Sequence, residues 1–160
     1  MLKYIGILIL SLSVSAYGAL LSKNLCDTHE LRKEICSLIK NIEHGIRYGS
    51  KPTAEIISAC KLKNLEKSGF ITALLSGENE GAVIQSHLKM LTDEEKERLT
   101  SFFTNLGKSS YRESELDFCR EYLEYFENFE KVSEKEVKEK SLLYKKIGII
   151  CGILTAIIFL

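Results

Sequence analysis

The last fourteen residues, IGIICGILTAIIFL, carry no charge and a single hydroxyl, and Lys145 and Lys146 stand directly before them. As a helix this run covers about 21 Å, short of the roughly 30 Å hydrocarbon core of a bilayer. Adding Leu142, Leu143 and Tyr144, with the two lysines snorkelling to the headgroups, gives about 28 Å, enough for a thin or locally thinned bilayer. The sequence therefore predicts a transmembrane helix over 142–160.

The opposite end, MLKYIGILILSLSVSAYGALL, has Lys3 as its only charge, so Tyr4 to Leu21 is also long enough to cross. Lys3, the apolar stretch to Leu12 and the small residues of SAYGA also fit a secretory signal cleaved near Gly18 or Ala19. A lone lysine and apolar residues continuing through Leu20 and Leu21 favour an uncleaved helix over 2–21. Small residues recur every fourth position in both segments, Ser11, Ser15 and Ala19 in the first and Gly148, Gly152 and Ala156 in the second. Such stripes let helices approach closely in lipid.

An apolar fraction of 45% thus misdescribes a chain with two greasy ends and a polar middle. From Ser22 to Lys146 there are 21 basic against 22 acidic residues, a net of −1, without the basic excess of a nucleic-acid binder. Lys23, Arg32 and Lys33 follow the first segment, and Lys131, Lys135, Lys138, Lys140, Lys145 and Lys146 precede or open the second. The positive-inside rule puts this middle, 22–141, in the cytoplasm of a two-pass protein. The five cysteines, Cys26, Cys36, Cys60, Cys119 and Cys151, form no close pair and read as reduced packing residues.

The middle reads as all-α, a compact bundle of about six helices flanked by the two spans. From Asp27 to Tyr48, Leu31, Ile35, Leu38, Ile39, Ile42 and Ile46 step by three and four, which marks one buried face. After Gly49, Pro52 is placed as a first-turn proline, and TAEIISACKLKNL reads as one further helix. FITALLSGENEGAVIQSHLKML reads as two short helices joined at SGENEG. Thr92 with Glu95 forms a capping box opening a helix that Gly107 ends, with Leu99, Phe102, Phe103 and Leu106 on its face. From about Tyr111 nothing interrupts one long helix into the final span, with Leu116, Cys119, Leu123, Phe126 and Phe129 or Glu130 lining its inner stripe.

No catalytic constellation is written here, and the expectation is a protein that is not an enzyme and needs no cofactor or metal. His29, His44 and His87 lack metal-site spacing, and GENEG offers acids where a phosphate loop needs a lysine. From Glu113 to Glu130 the long helix carries seven acids against Arg120, read as a solvated face.

Two stretches, IRYGSKPTAEI at Ile46 to Ile56 and LTSFFTNLGKSSYRES at Leu99 to Ser114, lie between a lysine-led first span and the final one. In that arrangement the chain resembles the stage III sporulation protein AB family of endospore-forming bacteria. The motif residues are Tyr48, Gly49, Pro52, Glu55, Leu99, Phe102, Leu106, Gly107 and Ser109, read as mainly structural. The resemblance implies a cytoplasmic domain similar to the platform protein of type II secretion and type IV pilus machines. It further implies a non-enzymatic role in the secretion-like channel joining mother cell and forespore, in the mother-cell or outer forespore membrane, with the AA ATPase of that channel as partner. A homo-oligomer stays open. The alternative from another class is a secreted or surface helical protein with a cleaved leader and a C-terminal anchor.

Overall fold

The computed structural model describes residues 2–49 and 52–159, and for Leu2 and Lys3 the backbone alone. Seven helices and no strand occur among them: α1 (Leu2–Tyr48), α2 (Thr53–Ala59), α3 (Lys63–Lys67), α4 (Phe70–Leu75), α5 (Glu80–His87), α6 (Asp93–Asn105) and α7 (Arg112–Phe159). The expected turn residues Ser50 and Lys51, the Lys3 side chain and the last residue of the expected second span, Leu160, lie outside the described residues. By contacts the chain divides into two units, Met1–His29 with Lys131–Leu160, and Glu30–Glu130.

The Glu30–Glu130 unit is a helical bundle with one apolar core. Its α1 segment supplies Leu31, Ile35, Leu38, Ile39 and Ile42, the stripe the three-and-four periodicity marks. Phe70, Val83, Ile84, Leu99, Phe102, Cys119 and Phe126 come from α4 to α7. Fully burying a side chain such as Ile35, Leu38 or Phe102 contributes about 1.5–3 kcal/mol relative to leaving it in water. Aromatic rings extend the core: Phe102 stands edge-on to Phe103 at 5.2 Å and stacks on Phe118 at 5.6 Å.

The segment Thr53 to Lys67 breaks into α2 and α3 where the sequence predicts one helix. Cys60 and Leu62 are both buried while Lys61 between them is exposed. In a helix residues two apart diverge by about 200°, so burying both requires extended backbone. Cys60 accordingly has ψ 122° and Leu62 φ −117°. The N–H groups left open at the start of α3 are met by Glu34, whose carboxylate accepts from Asn64 N at 2.9 Å and Leu65 N at 2.9 Å.

The other helix limits follow local chemistry. Asn79 caps α5 by accepting from Ala82 N at 3.0 Å. Thr92 and Glu95 form the predicted capping box of α6. Gly107, at φ +79°, takes the left-handed turn beyond the end of α6 that a side chain would strain.

Candidate membrane anchor and docking surface

Within the unit built from both chain ends, α1 and α7 pair along a seam of small and polar residues. Ser11 Oγ donates to Gly152 O at 2.6 Å, the Ser22 and Ser141 hydroxyls are hydrogen-bonded to each other at 2.7 Å, and His29 Nδ1 is hydrogen-bonded to Ser133 Oγ at 3.0 Å. Partner numbers fall as α1 numbers rise, so the helices run antiparallel. Between these bonds the backbones touch: a Cβ on Gly18 would lie 2.6 Å from Tyr144 O and 2.7 Å from Gly148 Cα. A Cβ on Gly152 would overlap Ser15 Oγ and stand 2.8 Å from Ser11 O. In lipid such contact and hydrogen bonding hold helices together, because the hydrophobic effect does not.

Gly148 and Gly152 of the sequence stripe therefore lie in the contact, and Ala156 is half-buried. On α1 the contact runs through Ser11, Ser15, Gly18 and Ser22, whereas Ala19 is exposed. The step of three from Ser15 to Gly18 keeps the seam on one side of a 3.6-residue helix, where a strict four-residue step drifts off it. Outward, Ile5, Leu8, Ile9 and Leu12 on α1 and Ile149, Ile153, Leu154 and Ile157 on α7 are exposed. Both helices are long and apolar enough to cross a membrane.

Cys26 Sγ lies 3.8 Å from Ser141 Oγ. Ser141→Cys should consequently oxidise to a disulfide with Cys26 inside one chain. On non-reducing gels it should run as a monomer whose two end fragments stay joined after proteolysis. A disulfide-linked dimer instead would show that these helices pair between copies.

The bundle unit exposes its clearest aromatic surface where α1 ends and α7 begins. Arg112 holds the two together by donating from Nε to Ile46 O at 2.8 Å and from its terminal nitrogen to Arg47 O. Tyr48, 72% exposed, rests its ring against His44 at 4.8 Å and beneath the Arg47 guanidinium, and Tyr111 is 77% exposed. Glu43 pairs with both Arg47 and Arg120. Exposed tyrosine among arginines is the chemistry on which protein–protein contacts concentrate their energy.

The remaining motif residues divide between turns and core. Gly49 N donates to Gly45 O at 2.8 Å, and Pro52 O accepts from Glu55 N at 2.9 Å at the start of α2. Glu55 lines a groove of about 460 Å³ with His44, Cys60 and Lys61. Leu99 and Phe102 are fully buried and Leu106 packs half-buried on the core. Gly107 N and Ser109 N both donate to the Glu115 carboxylate, at 2.6 and 3.3 Å.

Two ionic residues of the bundle unit, Glu115 and Arg32, stand apart from the sequence motifs. Glu115, counted above in a solvated acidic face, is buried and binds the Gly107–Ser109 turn. Arg32 donates to the fully buried Glu95 at 2.7 and 3.1 Å and lies over the Phe129 ring. Glu115 and Arg32 each interrupt an apolar stripe, Glu115 four residues before Cys119 and Arg32 three before Ile35, and a charge at such a position is the signal that could have found them. Burial pushes the Glu95 carboxyl up, but hydrogen bonds from Arg32 and Thr92 outweigh it and hold it below the ordinary range.

Burial, with nearby Glu130 for Cys36 and Glu115 for Cys119, pushes both thiols up to about 12. Since only the thiolate reacts, each should alkylate about a thousandfold more slowly than an ordinary cysteine near pH 8, and at the ordinary rate once the chain unfolds. Mass spectrometry of time-resolved labelling checks this. Among the described residues no group of three His, Cys, Asp or Glu is placed to hold a metal.

Residues 3–160 match the family described as stage III sporulation protein AB. No curated protein and no solved structure matches the chain.

Proposed function

The chain belongs to the stage III sporulation protein AB family, and on that premise we propose that it is a non-enzymatic platform subunit of the secretion-like channel between mother cell and forespore. Membership carries a role in stage III sporulation, and two apolar helices mark a membrane protein. In the platform role the paired terminal helices fix the chain in the mother-cell or outer forespore membrane, and the bundle unit docks protein partners on the cytoplasmic side. The observation that carries it is a family match that runs through both apolar ends and the helical middle.

Physical features support each part. Basic residues flank the inner ends of both helices, so the positive-inside rule favours a cytoplasmic bundle. The exposed Tyr48 and Tyr111 suit a protein partner, and the AA ATPase of the channel is the partner we assign. Cleavage near Gly18 or Ala19 would remove the residues that Gly148 and Gly152 touch, which favours an uncleaved first helix over the secreted alternative.

Affinity capture of the full chain from sporulating cells is the test. The ATPase and other channel proteins should co-purify, Tyr48→Ala with Tyr111→Ala should weaken that capture, and deletion should abolish spores while early sporulation stages proceed. Capture without channel proteins, or normal sporulation of the deletion strain, would refute the assignment.

A further inference from the structure

We infer that lysines at the inner end of the helix pair form a collar selecting anionic phospholipid headgroups, with Lys23, Lys145 and Lys146 as its ligating residues. The pairing of α1 with α7 puts these three cations near one level. Ser22 and Ser141 touch at 2.7 Å, so Lys23 follows directly on α1, while Lys145 and Lys146 lie about 6–8 Å along α7 toward its apolar end. An extended lysine side chain covers about that distance, so all three ammonium groups reach one headgroup layer. Tyr17 is exposed and Tyr144 half-buried at this same end, residue types that favour the membrane interface.

Charge pairing and position together single out these lysines, since Lys131 and Lys135, likewise unpaired among the described residues, lie about 15 Å or more farther from the apolar end of α7. Lys138 and Lys140 are neutralised one turn away by Glu134 at 2.7 Å and Glu136 at 2.6 Å. Lys23, Lys145 and Lys146 are exposed, and no carboxylate among the described residues lies within ion-pair distance of them. An unpaired cation at the edge of a hydrocarbon layer meets the phosphates of that layer as its nearest counter-charges. Full engagement of one lysine by an anionic surface corresponds to about a fivefold preference, so three would give a large selectivity even when partly screened.

The inference rests on both helices being inserted, and flotation of proteoliposomes after alkaline carbonate wash checks that separately. The full chain is reconstituted in phosphatidylcholine bilayers carrying traces of spin-labelled phosphatidylglycerol or spin-labelled phosphatidylcholine. The motionally restricted fraction then reports which headgroup the helix pair retains. A several-fold preference for phosphatidylglycerol should fall to parity in the Lys23→Gln, Lys145→Gln, Lys146→Gln variant. It should survive Lys61→Gln, Lys63→Gln, Lys67→Gln, which removes the same charge from the bundle unit. The Cys26 disulfide to Ser141→Cys, added to the collar variant, verifies that its helices still pair. Parity in the unaltered chain, retention of the preference without the collar lysines, or equal loss in both triple variants would overturn the inference.

Discussion

Gly148→Leu should part the terminal helices and abolish the disulfide between Cys26 and Ser141→Cys. Even the first side-chain atom at Gly148 would stand 2.9 Å from Gly18 Cα and 3.2 Å from Ser15 O, both backbone atoms that no rotamer change can move. The helices must then separate, and separation breaks the Ser11–Gly152 and Ser22–Ser141 hydrogen bonds together. Small-residue contact and interhelical hydrogen bonds are the terms that hold helices in lipid, so little remains to keep the pair closed. Gly6→Leu is the matched control, since nothing lies within 4 Å of a Cβ there. Cross-linking yield in membranes should be near zero for the first substitution and unchanged for the second. An undiminished yield in Gly148→Leu would show that the backbones do not meet at this point.

The same contact shows what could be read from the chain alone. Apolar length gave both terminal helices, and a period of three and four gave the α1 stripe from Leu31 to Ile42, because those signals are local. The capping box at Thr92 and the stop at Gly107 were legible for the same reason. Small residues marked Gly148 and Gly152, yet Gly18 in place of Ala19 depends on how a partner about 130 residues away along the chain is rotated. The break between α2 and α3 was hidden because its compensation is remote: Glu34 on α1 replaces the hydrogen bonds lost around Leu62. Glu115 misled for a related reason, since it turns inward to the Gly107 loop while Glu113 and Glu121 face water. A charge on an apolar stripe points to a partner, but only tertiary structure names it.

Arg32 and Glu95 make the sharpest case, and Arg32→Met should destabilise the bundle unit as much as truncating a fully buried phenylalanine of its core. It leaves a carboxylate buried with its strongest donor gone, a defect worth about 3–5 kcal/mol. For a chain of this size that corresponds to a fall in melting temperature on the order of 10 °C. The pH dependence gives the loss a signature. With Arg32 present the Glu95 pKa is held below its unfolded value, so its contribution is full above the ordinary carboxylate range and disappears as pH falls through the depressed value. With methionine at 32 burial acts against fewer opposing bonds, the folded pKa rises, and protonation relieves the strain of the unpaired charge. The stability gap between the two proteins should therefore narrow as pH falls from about 7 toward about 4. Adding Glu95→Leu should recover most of the loss at neutral pH by removing the stranded carboxylate, apart from about 1 kcal/mol for the forfeited α6 capping box. Thermal unfolding of the detergent-solubilised chain across that pH range measures all three curves. A gap independent of pH would mean that Arg32 acts through its contact with Phe129 rather than through the carboxylate.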